Sequence, residues 1–154
     1  MPFEIAGTPP KITGHCHIYE GSSTDGAGAK SVPFTNRLIQ DDQTIYFTFH
    51  WKQHSNSFWL AGGHWHQEVY LELMGPGEAS KSGGYFKTTI AAQDVNGSFS
   101  NTIKVAPGKI KPGVYRVTCS MQYYSNFGSA GGHQPRALAA FDDLGIIKVY
   151  HEEN

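Results

Sequence analysis

Apolar and polar residues alternate with a period of two along most of this chain. The clearest run is Ile45-Tyr46-Phe47-Thr48-Phe49-His50-Trp51. Ile45, Phe47, Phe49 and Trp51 share one face of it, and Tyr46, Thr48 and His50 share the other. Successive side chains of a strand point to opposite sides of the sheet, so this pattern predicts a half-buried β-strand. Residues 64–74 repeat it, with Trp65, Val69, Leu71 and Leu73 on one side and His66, Glu68, Tyr70 and Glu72 on the other. Gly75-Pro76-Gly77 ends that run, because proline cannot donate to a ladder and glycine permits the turn.

Further strands are predicted over residues 11–19, 85–91, 98–105 and 114–124, the last with Tyr115, Val117, Cys119, Met121 and Tyr123 facing inward. A turn at 142–145 (Asp-Asp-Leu-Gly) is expected to separate strands at 137–141 and 146–151. No segment longer than a turn carries a helical stripe, and no fixed-period repeat is visible. Seven or eight short strands with turn signals between them predict an all-β chain. The expected fold is an antiparallel β-sandwich, immunoglobulin-like or jelly-roll in layout, with residues 1–154 forming one domain.

Composition agrees with that reading. A chain of 154 residues can bury a core without help from disulfides or a structural metal. Only 39% of its residues are hydrophobic, but 13% are aromatic, and large rings supply much buried area each. Eighteen glycines and eight prolines punctuate the turns. Twelve basic and thirteen acidic residues leave a net charge of −1, with no arginine-rich stretch or lysine stripe. The phosphate attraction on which nucleic-acid binding rests is therefore missing, and no nucleic-acid partner is expected. No apolar run approaches the length of a membrane helix, so no membrane role is expected. The N-terminal residues show no secretory signal, and Cys16 and Cys119 are too sparse for a disulfide scaffold. A cytoplasmic location with both thiols reduced follows as the expectation.

The stretch from Pro112-Gly113-Val114-Tyr115-Arg116-Val117 to Ile147-Lys148-Val149-Tyr150 resembles the closing strands of immunoglobulin-like domains. There a Pro-Gly turn leads into a Tyr-containing strand that pairs with the final one. The likeness covers about a third of the chain. The Cys…Trp…Cys spacing of true immunoglobulin domains is absent, so the resemblance implies a sandwich and no activity.

Histidine is the one enriched chemical type, with eight residues. His15-Cys16-His17 and His64-Trp65-His66 both have the spacing that sends two imidazoles to one side of a strand. Were the two strands neighbours, His15, His17, His64 and His66 would converge into a site suited to zinc, copper or non-haem iron. The alternative is a solvent-facing polar surface that holds nothing, and the acidic company of Glu68 and Glu72 favours it. Gly63-His64-Trp65-His66-Gln67-Glu68 is similar to the opening of the first cupin motif, but Glu72 and Gly75 fall at the wrong spacing. Gly14-His15-Cys16-His17 is similar to a segment of copper–zinc superoxide dismutase, whose later ligands and disulfide pattern are missing.

No set of residues organises nucleophilic catalysis. Cys119 falls on an apolar strand face, where a thiol is inert packing, and Cys16 projects away from its flanking histidines. Phe58-Trp59-Leu60 sits in a loop-like stretch and, with Tyr124 and Phe127, offers aromatic contact surface. The first functional expectation is therefore a non-catalytic module, with no cofactor, acting by self-assembly into a homo-oligomer or by docking a protein partner. A histidine-rich metal-binding protein or metalloenzyme is the second. A carbohydrate-binding module, with sugar stacked on Trp59 or Tyr124, is the third.

Overall fold

The computed structural model describes residues 11–21, 30–31, 38–54, 62–75, 82–93, 95–125 and 134–153. Nine strands run through them. They are β1 (Ile12–Gly21), β2 (Lys30–Ser31), β3 (Leu38–Gln40), β4 (Thr44–Gln53), β5 (His64–Met74), β6 (Ser82–Ala91), β7 (Gly97–Val105), β8 (Gly113–Ser125) and β9 (Gln134–Tyr150). Four form one sheet in the order β2-β1-β4-β7, and five form the other in the order β3-β9-β8-β5-β6. The two sheets make a β-sandwich.

The predicted alternation decides which side of each strand meets the other sheet. From the four-stranded sheet Cys16, Ile18, Phe47, Phe49, Trp51 and Ile103 turn inward and are buried. From the five-stranded sheet Trp65, Val69, Leu71, Tyr115, Val117, Cys119, Met121, Tyr123, Ile147 and Val149 do the same. Each large apolar side chain fully buried in this slab contributes about 1.5–3 kcal/mol. A polar link crosses the middle of the apolar layer. Gln67 of β5 is completely buried, and its Oε1 accepts a 2.8 Å hydrogen bond from Asn101 Nδ2 of β7. Its amide donates to the Met121 thioether at 3.3 Å.

Two details differ from the sequence-based expectation. The turn predicted at 142–145 is a bulge inside one long strand. Val117 pairs with Gly145 and Thr118 with Asp143, so Leu144 is the extra residue. Gly145 takes the left-handed conformation (φ 80°) that such a bulge needs, and Leu144 drops into the core. Gly and paired Asp signal a chain reversal or a bulge equally well, and only pairing with β8 decides between them. Second, the short β2 and β3 were not anticipated, and β3 runs parallel to β9, with Leu38 opposite Lys148 and Gln40 opposite Tyr150. Strands of two and three residues carry too few positions to show a period.

The buried amide pair gives a quantitative test. Replacing Asn101 with Ala leaves the Gln67 carbonyl buried without its donor, a loss of about 1–3 kcal/mol in urea unfolding. Adding Gln67→Leu should recover most of that loss, because the orphaned group is then gone. Strictly additive losses in the double-mutant cycle would show that the two amides do not stabilise each other.

Candidate functional site

The two sheets bury their inner faces against each other, so their outer faces point in opposite directions. This separates the histidine pairs. His15 and His17 lie on the outer face of the four-stranded sheet, whereas His64 and His66 lie on the outer face of the five-stranded one. The four-imidazole cluster that neighbouring strands would have created is not formed, because β1 and β5 belong to different sheets.

Each pair has other company. His50 of β4 stands directly opposite His15 in the β1–β4 ladder. The His15 and His17 ring centres are 4.5 Å apart, and His50 lies 5.4 Å from the first and 5.7 Å from the second. Thr13, Tyr19 and Lys52 line the same shallow groove. Burial, followed by the neighbouring His15 and His17, holds the His50 pKa below its ordinary 6.5. On the other sheet His66 stacks on Tyr124, with ring centres 3.8 Å apart.

That five-stranded face can be read row by row from its registers. Met74, Val114, Lys148 and Leu38 form one row, and Glu72, Arg116 and Ile146 another. Tyr85, Tyr70, Thr118 and Asp143 make a third, then Lys87, Glu68, Ser120 and Phe141 a fourth. Seven of the eight large hydrophobic side chains exposed among the described residues belong to it: Leu38, Tyr70, Met74, Tyr85, Val114, Phe141 and Ile146. Phe141 is 82% exposed. Charged groups lie between them in pairs. Arg116 Nη2 donates to Asp143 Oδ2 at 2.7 Å, and the Tyr85 hydroxyl donates to the Glu68 carboxylate. The Lys87 ammonium lies 5.9 Å from the centre of the Tyr85 ring.

Tyr124 falls on this face, opposite His64 in the β5–β8 ladder. Phe58, Trp59, Leu60 and Phe127 lie outside the described residues. The sequence reading placed Tyr70 on a polar face and gave no role to Ile146, Val114 or Phe141. Their contiguity depends on the order β9-β8-β5-β6, which a period-two pattern does not contain.

The cysteines meet inside. Cys16 of β1 and Cys119 of β8 are both buried free thiols that face one another between the two sheets. That contact, and then burial, push the Cys16 thiol far above the ordinary range, so it stays protonated and unreactive. Beside it, Asp142 of β9 reaches over to accept the Cys16 backbone N–H at 3.0 Å.

Two chemical readouts test this description. Neither thiol should react with iodoacetamide in the native protein at neutral pH, and both should react in denaturant. Rapid native labelling of Cys16 would show that the two sheets part there. Separately, the hydrogen bond that the Tyr85 hydroxyl donates to Glu68, then burial and the Glu68 charge, raise the Tyr85 pKa from 10.0 to about 12. Glu68→Gln removes that charged acceptor, so an NMR titration of labelled tyrosine should move the Tyr85 transition down from about 12 toward 10.0.

No protein-family model matches this chain. No curated protein matches its sequence. Among solved structures it is similar to the C-terminal domain of wzt, with 9% identity and a TM-score of 0.50 over 94% of this chain and 80% of that one. A β-glucosidase from Listeria innocua, in complexes with gluconolactone and isofagomine, aligns with 88% of this chain and 16% of its own. The identities there are 14% and 13%, and the TM-scores are 0.38 and 0.37. The likeness to the wzt domain shows a shared β-sandwich fold alone; the β-glucosidase alignments are too distant to argue from.

Proposed function

We propose that this domain is a non-catalytic contact module, and that the outer face of its five-stranded sheet binds a second copy of the chain. One observation carries the reading. Seven large apolar side chains are exposed together on that face, while a single one is exposed elsewhere among the described residues. Clustered apolar surface on a soluble domain marks an interaction site, whereas scattered residues do not.

The dimensions suit a protein-sized partner. Four strands spaced about 4.8 Å apart over about ten residues of about 3.4 Å each, with the three-residue β3 beside them, present about 700 Å². A stable protein interface takes about 800 Å² from each partner. The charges support a like partner. Glu68, Glu72 and Asp143 balance Lys87, Arg116 and Lys148 on this surface. With that balance and a net charge of −1, a two-fold contact between identical faces brings together no excess of either sign.

A narrower feature of the same face favours a second reading, glycan binding. Exposed Tyr70 and Tyr85, with Glu68 and Lys87 beside them, combine flat apolar rings with hydrogen-bonding groups. The C–H face of a sugar can stack on such a ring while its hydroxyls meet the polar neighbours.

Light scattering with size exclusion separates the two. The wild-type chain should elute as a dimer at high micromolar concentration. Phe141→Asp with Ile146→Asp should give monomers of unchanged melting temperature, since both side chains are already exposed. A wild-type monomer, or a double variant that still dimerises, would overturn the proposal. A monomer that also shows hits on a glycan array, lost in Tyr85→Ala, would establish the second reading instead.

A further inference from the structure

We propose that His15, His17 and His50 form a site for one divalent transition-metal ion that prefers imidazole nitrogen, of the zinc or copper class, on the outer face of the four-stranded sheet. This surface lies on the side of the sandwich away from the apolar face, and the inference does not depend on the contact reading.

The backbone brings the three together. His15 and His17 are two apart on β1 and therefore project from the same side, and His50 is the cross-strand partner of His15. Directly opposed residues have Cβ atoms about 4.5–5.5 Å apart, so the three imidazoles rise from a triangle of neighbouring positions. Three imidazoles bound to one tetrahedral zinc through nitrogens at about 2.0–2.1 Å have ring centres about 5 Å apart. The observed separations of 4.5, 5.4 and 5.7 Å bracket that value. Ring spacing is the part of a metal site that side-chain rotation does not easily supply, and it is already in place.

The nitrogens are not yet directed at a common point, and among the described residues no three potential ligands are gathered about one. The rings lie beside one another, tilted by 35°, 33° and 68°. Turning them inward takes rotation about side-chain torsions only. His15 and His17 are exposed and His50 half-buried, so these rotations need no backbone movement.

The surroundings set the selectivity. The register places Thr13, Tyr19, Thr48, Lys52, Ser100, Thr102 and Lys104 on this face, and no carboxylate among them. A nitrogen-only site with lysines nearby disfavours magnesium and calcium, which take oxygen ligands, and suits zinc and copper. Three protein ligands leave one tetrahedral position to water.

Zinc titration by calorimetry and native mass spectrometry, with magnesium in parallel, tests the site. The wild-type chain should take up one zinc ion and no magnesium. The imidazole NMR signals of His15, His17 and His50 should shift, while that of His66 stays in place. Loss of a supporting group around a metal already costs about tenfold in affinity, so His50→Gln and His15→Gln should each lose more than that. His66→Gln should bind as the wild type does. The proposal falls if stoichiometric zinc does not bind, if His50→Gln binds zinc unchanged, or if the shifted signals belong to other histidines. The wild-type NMR measurement decides the matter even if a variant folds poorly.

Discussion

Everything in this molecule depends on the apolar slab between the two sheets. Neither sheet can stand alone in water with Phe47, Phe49 and Trp51, or Trp65, Tyr115 and Tyr123, on its surface. Closing them together uses up one face of every long strand. Two outer faces remain, and they point away from each other. That constraint, more than any single residue, determines which groups can cooperate. Residues on one outer face can share a ligand; residues on opposite faces cannot.

The slab also needs its polar exceptions satisfied. Gln67 in the middle is held by Asn101 and Met121, and Gln53 at the margin donates to the carbonyls of Gln93 and Val95, both at 2.7 Å. At the β1 side, Asp142 supplies the acceptor that Cys16 lacks from any neighbouring strand. Asp142 stands opposite Cys119 in the β8–β9 ladder, just before the bulge at Leu144. Tyr115 anchors the opposite end by donating to the Lys111 carbonyl at 2.5 Å. Each of these contacts removes a buried polar group that would otherwise weaken the core.

The outer faces differ in kind. The five-stranded one carries large apolar groups among balanced charges, which suits contact over a broad area. The four-stranded one carries imidazoles, hydroxyls and two lysines, which suits a small hydrophilic ligand. The two proposed roles, assembly on one side and ion capture on the other, would use opposite faces of the sandwich and share no residue.

The sequence alone determined most of the long strands and their buried sides. Period-two alternation in β4, β5 and β8 assigned the inward residues correctly, because the pleat forces neighbouring side chains apart whatever the fold around them. It also set Cys16 on the opposite side of its strand from His15 and His17. Only the tertiary structure decided which strands lie side by side. Strand order set His50 against His15, put His64 and His66 on the far side, brought Cys16 to Cys119, and joined Ile146, Tyr70 and Phe141 into one surface. A strand's pattern records only whether each side chain faces the core. Its neighbours are chosen by chain reversals and by packing between residues distant in sequence, and these leave no periodic mark.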